Sequence, residues 1–120
     1  VKKEEQKVSG IIYLSEDVKN SIREQYKEEV AQNKIKLLYL PLDDYANEEL
    51  EVLVKVPDRN TTTQFMRFIS DNPKKAQELL LNQSLLTNKE QVMADDALFF
   101  ACAGKIAELF PIREARIKNF

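Results

Sequence analysis

The chain has 120 residues, 43% hydrophobic and 32% charged, and a net charge of −2. That balance suits one globular domain with a hydrated surface, excludes a disordered chain, and supplies no electrostatic footprint for nucleic acid. The absence of histidine removes the commonest general base, the Ser-His-Asp and Cys-His arrangements and nearly every imidazole-based zinc site, and the single Cys102 rules out an intramolecular disulfide.

Residues 1–9 carry Lys2, Lys3, Glu4, Glu5, Gln6 and Lys7, which predicts a flexible, solvated arm or a frayed helix. Ile11 to Leu14 is a short apolar run that suits a strand or the lead into a helix. Ser15 followed by Glu16 and Asp17 reads as an N-cap with acids in the first turn. A helix over Glu16 to Gln32 follows, because Val18, Ile22, Tyr26 and Val30 recur every four positions and form one narrow apolar stripe.

From Lys34 the period changes to two. Ile35, Leu37 and Tyr39 alternate with Lys34, Lys36 and Leu38 up to Pro41, and Leu50, Val52, Val54 and Val56 alternate with Glu49, Glu51, Leu53 and Lys55 up to Pro57. The acidic stretch Asp43, Asp44, Tyr45, Ala46, Asn47 joins the two runs as an antiparallel hairpin, with the first helix over its apolar face. On that phase Leu38, Leu40 and Leu53 face outward. Either the C-terminal helices sandwich the sheet and bury them, or they form an exposed patch that takes an apolar segment of a partner protein or of a second copy, with the hairpin edge available for strand addition.

The remainder reads as helical. Thr61 and Gln64 stand at capping-box spacing before Phe65, Met66, Phe68 and Ile69. Asn72 and Pro73 then open a helix that turns Ala76, Leu79, Leu80 and Leu81 inward. Thr87 and Glu90 form a second box, Asp95 and Asp96 open the most apolar helix, Ala97 to Phe110, and Pro111 starts a last helix carrying Arg113, Arg116 and Lys118. The fold class is therefore α+β: an N-terminal helix packed on a small antiparallel hairpin or sheet, followed by a C-terminal bundle of three to four helices. Residues 1–120 make one domain, with a helix-plus-hairpin portion at 10–57 and a helical portion at 58–120.

Little in the chain points to catalysis, and no cofactor or metal is implied. Asp95 with Asp96 and Asp43 with Asp44 are adjacent acids at a helix N-terminus and in a turn, where anions and turn residues are favoured, and neither pair has the ligand spacing of a calcium loop. Cys102, between Ala101 and Ala103, predicts a buried, inert thiol. Gly10 and Gly104 stand alone and far apart, so no phosphate loop can be built from them. Arg113, Arg116 and Lys118 read as a solvated helix face, and Phe99, Phe100, Phe110 and Phe120 as mostly core. No apolar run approaches the ~20 residues of a bilayer span, the longest such as Ala97 to Ala103 being far shorter, and no export signal pattern opens the chain; a cytoplasmic protein without membrane contact is expected.

Three stretches taken together carry a resemblance: Val54-Lys55-Val56-Pro57-Asp58-Arg59, then Pro73 to Asn82 with its Leu79-Leu80-Leu81-Asn82 end, then Asp95-Asp96-Ala97-Leu98-Phe99-Phe100-Ala101-Cys102-Ala103-Gly104. In this order they resemble small tail assembly chaperone-like proteins of phages and prophages, over about Leu50 to Ile117. The resemblance implies a non-enzymatic protein, made in the bacterial host cytoplasm, that binds the long helical tape measure protein and keeps it soluble until tail subunits polymerise around it. It transfers no site residues. A virion or tail structural subunit, or another small cytosolic interaction protein, is the alternative expectation.

Overall fold

A computed structural model describes residues 10–120 and the backbone of residues 5–8. Strands β1 (Glu5–Val8) and β2 (Ile11–Leu14) precede helices α1 (Glu16–Gln25) and α2 (Lys27–Ala31). Strands β3 (Ile35–Pro41) and β4 (Glu49–Lys55) come next, and then helices α3 (Arg59–Ile69), α4 (Pro73–Ser84), α5 (Lys89–Ala94) and α6 (Asp96–Ala107). The protein is mixed α and β, with one four-stranded sheet in the order β1-β2-β4-β3. β2 runs parallel to β4, and the β1–β2 and β3–β4 pairs are antiparallel.

The β3–β4 hairpin forms where the two alternating runs place it, but its faces differ from expectation. Leu38 stands opposite Val52 and Leu40 opposite Leu50, while Leu37 stands opposite Leu53 and Tyr39 opposite Glu51. Directly opposed residues share a face. Leu38 and Leu40 therefore lie with Leu50, Val52 and Val54, and Leu53 lies on the other side with Ile35 and Leu37. The larger core fills the first face: Leu40, Leu50, Val52 and Val54 pack with Leu80, Leu81, Leu85, Val92, Leu98, Cys102, Ala103 and Ile106. A smaller core on the second face joins Leu53 to Leu14 and Ile22, with Val18, Tyr26, Ile35 and Leu86 against them. The C-terminal helices thus cover the face assigned by sequence to α1, and α1 covers the reverse. The physical reason is supply of apolar surface: the helices after β4 bring far more of it than the single stripe of α1, so the richer strand face turns toward them.

The expected flexible arm at 1–9 is corrected in part. Residues 5–8 form edge strand β1 on β2, and residues 1–4 and 9 lie outside the described residues. The turn between these strands depends on Gly10, which adopts φ +82 and whose carbonyl accepts the Glu49 N–H at 2.8 Å. A Cβ at this position would lie 2.6 Å from the Asn47 carbonyl oxygen. Only glycine meets both demands, and with β2 held beside β4 the outer edge of β2 is left for β1 to pair.

The single helix expected over 16–32 is broken at Tyr26, which has φ −116 and ψ 43. Tyr26 packs into the smaller core, with the Lys55 ammonium 5.8 Å from its ring centre. α2 ends where Asn33 takes φ 60 and Lys34 N–H donates to the Glu29 carbonyl at 2.8 Å, a left-handed C-cap that sends the chain into β3. Ser15 caps α1 as its position implies, its hydroxyl accepting the Val18 N–H at 3.2 Å. Asn72 and Asp95 cap α4 and α6 in the same way, through the N–H groups of Lys75 and Leu98 at 3.2 Å each.

Two caps and one helix are corrected. α3 is capped by Asp58, whose carboxylate accepts the Thr61 N–H at 2.8 Å, so the helix starts before the Thr61–Gln64 box. That bond, with the Thr61 hydroxyl, holds the Asp58 carboxyl below the usual carboxylate range, and the stability it adds is present above that range and lost as pH falls through the lowered value. Thr87 does not cap α5; its hydroxyl oxygen accepts the Leu53 N–H at 3.0 Å. Residues 111–120 are not helical and are exposed throughout. Ile112 and Ile117 are five positions apart, which in a helix would put them well over 100° apart on its surface with no common stripe to bury.

Candidate interaction site

The three leucines singled out by sequence do not form one patch. Leu40 is 1% and Leu53 7% exposed, on opposite faces, and Leu38 is half-buried against the larger core. The correction follows from the register above. What β3 exposes instead is its other set, Leu37 at 44% and Tyr39 at 41%, with Val30 of α2 at 40% nearby. Leu37 and Val30, with Ile35, Ile22 and Leu53, line a groove of about 200 Å³ between the N-terminal helices and β3, flanked by Lys19 and Arg23.

β3 is also a terminal strand of the sheet. The Lys34 carbonyl accepts the Val56 N–H and the Leu42 N–H donates to the Glu48 carbonyl, each at 2.8 Å. Antiparallel pairs alternate between bonded and non-bonded positions, so the even-numbered residues face β4. Ile35, Leu37 and Tyr39 direct their N–H and C=O groups away from it, and no described strand pairs with them. The unpaired groups of these three residues lie beside an apolar groove.

One carboxylate, at an alternating position of the second strand, proves to be buried. Glu51 is 1% exposed, at the centre of β4. Its Oε1 accepts the Leu14 N–H at 3.0 Å and lies 3.0 Å from the Lys19 ammonium, and its Oε2 accepts the Tyr39 hydroxyl at 2.8 Å. β2 pairs with β4 only as far as Ile12 opposite Leu50, so the Leu14 N–H has no backbone partner on that side and Glu51 supplies one. Beyond this point the edge of β4 is completed by the chain after α4: Leu86 N–H donates to the Leu53 carbonyl at 2.9 Å, and Thr87 receives Leu53 N–H. Burial, together with the bond to Glu51, pushes the Tyr39 hydroxyl up to about 12, so it stays a hydrogen-bond donor across the neutral range. The network ties β2, α1, β3 and β4 together beneath the groove. The signal for it was the one carboxylate set between Leu50 and Val52 in the most apolar strand.

The acidic pairs hold local roles. Asp43 accepts the Asn47 N–H at 2.8 Å within the hairpin turn, and Asp95 caps α6. Among the described residues no three His, Cys, Asp or Glu side chains gather as a metal site. No described helix is long and apolar enough to cross a membrane. Cys102 is fully buried, and desolvation pushes its thiol up to about 12. Native protein at pH 8 is therefore expected to react with a thiol reagent only as fast as it unfolds, and addition of denaturant to restore the rate of a free cysteine. Labelling of the folded protein at that full rate would contradict the buried thiol.

No protein-family model, curated protein or solved structure matches the chain.

Proposed function

We propose that the chain is a non-enzymatic binding protein that holds an extended segment of a protein partner along β3, and that it acts as an assembly chaperone of the phage tail type, with a tape measure protein or tail subunits as its client. The observation that carries the binding reading is the unpaired, apolar edge of β3 beside the groove of Val30, Ile35, Leu37 and Leu53. Main-chain hydrogen bonds to such an edge give affinity, and alternate side chains entering the groove give selectivity. Arg23 at the rim, its side chain 56% exposed, favours a segment that carries an acid among its apolar residues, while Lys19 is held by Glu51. The chaperone assignment rests on the stretches at 54–59, 73–82 and 95–104. In this reading the sheet, α1 and a C-terminal bundle of α3–α6 work as one domain in the host cytoplasm.

The test begins with the neighbouring genes: a long, helix-rich reading frame beside this one supplies the client for co-expression, and the absence of one would remove the tail-chaperone assignment. Wild type is expected to keep that client soluble and to co-purify with it, while the Val30→Ser/Leu37→Ser variant folds normally and retains the client about tenfold less well, the loss expected for two half-exposed apolar contacts. Equal retention by the variant would remove the groove from the mechanism. Stoichiometric presence of the chain in purified particles would replace the chaperone with a tail structural subunit.

A further inference from the structure

We infer that residues 111–120 close along the free edge of β3 in their own chain as a fifth strand, and that a client must displace this strap in order to bind. The docking follows from the fold, and the competition rests on β3 being the client site. The structure holds the strap open: every residue in it is exposed, Ile112 at 62% and Ile117 at 94%.

The path of α6 aims the strap at this edge. α6 packs on β3 and runs against it: Ala97 and Leu98, near the start of α6, share a cleft with Pro41 and Leu42 at the end of β3, and Pro111, just past α6, shares another with Lys34 at the start of β3. A chain that leaves α6 and turns back therefore runs parallel to β3, as the strand after the helix does in a βαβ unit. Pro111 also lies with Glu29, and the groove begins with Val30 and Ile35, the residues that follow Glu29 and Lys34 in sequence. The root of the strap is thus at the mouth of the groove. Ten extended residues reach about 33 Å, against roughly 13 Å from Ile35 to Tyr39. Held there by α6, the strap has a local concentration on the order of millimolar, at which modest contacts suffice.

The side chains of the strap suit that place. Ile112 and Ile117 are five apart, so a strand turns them to opposite faces, and β3 is apolar on both, with Ile35 and Leu37 on the groove side and Leu38 on the other. Continuing the register from Pro111 beside Lys34 brings Ile112 beside Ile35, Glu114 beside Leu37 on the side where Arg23 stands, and Ile117 to the side of Leu38. An acid among apolar residues is the character that Arg23 favours in a client. Arg116 comes beside Tyr39, whose partly exposed ring suits a guanidinium. Arg113 beside Lys36 is an unfavourable neighbour, and the length of both side chains lets their charges separate into water.

Amide exchange of the full chain, followed residue by residue by NMR at two protein concentrations, tests the docking without any client. In wild type the Ile35, Leu37 and Tyr39 N–H groups, which face away from β4, are expected to exchange about tenfold more slowly than unpaired amides. Ile112→Ser/Ile117→Ser is expected to remove most of that protection with an unchanged melting curve, while the Leu38 and Leu40 amides, which face β4, stay as they are. Free exchange at the three amides in wild type overturns the docking. So does protection that the two serines leave intact, or protection that grows with concentration, which would assign the edge to a second copy. In co-expression the serine variant is expected to retain the client about tenfold better than wild type, and equal retention would overturn the competition. Full retention by Val30→Ser/Leu37→Ser would place the client elsewhere and end the competition too, while the exchange result would still decide the docking.

Discussion

Truncating Glu51 to alanine is expected to destabilise the fold by about 3–5 kcal/mol, the cost typical of removing one partner from a buried ion pair. The side chain is 1% exposed and serves the Lys19 ammonium, the Leu14 N–H and the Tyr39 hydroxyl. Alanine leaves the first two with no acceptor at a place where water has little access, since the Lys19 side chain is only 16% exposed. Glu51→Gln should cost less, because the amide oxygen can still accept from Leu14 or Tyr39 while the attraction to Lys19 is lost. The double variant Lys19→Met/Glu51→Leu should recover most of the loss, since it removes the charge and its partner together and fills their volume with apolar atoms. Urea unfolding with an unchanged slope gives these differences directly. A loss below about 1 kcal/mol for Glu51→Ala would mean that the network does not hold β2 and α1 to the sheet.

Such a network was not legible in the sequence because a carboxylate at an alternating position reads equally as solvent-facing. What decided its fate is the point at which β2 leaves β4, a tertiary fact. The same holds for β3. Ile35, Leu37 and Tyr39 on one side and Leu38 and Leu40 on the other are apolar on both faces, so the period of two identifies a strand without saying which face is richer in partners. The features that could be read were local ones. Ser15, Asn72 with Pro73, and Asp95 each satisfy a helix N-terminus within three residues of themselves, and each hairpin strand ends at or just before a proline, Pro41 and Pro57. Local reading failed where a capping side chain had a competitor. Asp58, a stronger N-cap than Thr61 at the start of α3, took that role, and Thr87 was drawn away from α5 by the unpaired Leu53 N–H.

The phase of β3 sets the second large effect. Leu40→Ala is expected to cost about 2–5 kcal/mol, as a fully buried leucine in a packed core does, whereas Leu37→Ala should cost about 1 kcal/mol or less because nearly half of that side chain is already in water. Leu53→Ala should fall with Leu40, although it belongs to the smaller core on the opposite face. Because Leu40 and Leu53 share no core cluster, the double variant is expected to lose close to the sum of the two single losses, which a common patch would not give. Thermal or urea unfolding of the four variants measures all of this in one series. A larger loss for Leu37→Ala than for Leu40→Ala would put β3 in the opposite phase, turning Leu37 inward and removing the groove from the surface. The expected order, Leu40 and Leu53 costly and Leu37 cheap, would leave Leu37 where a partner can reach it.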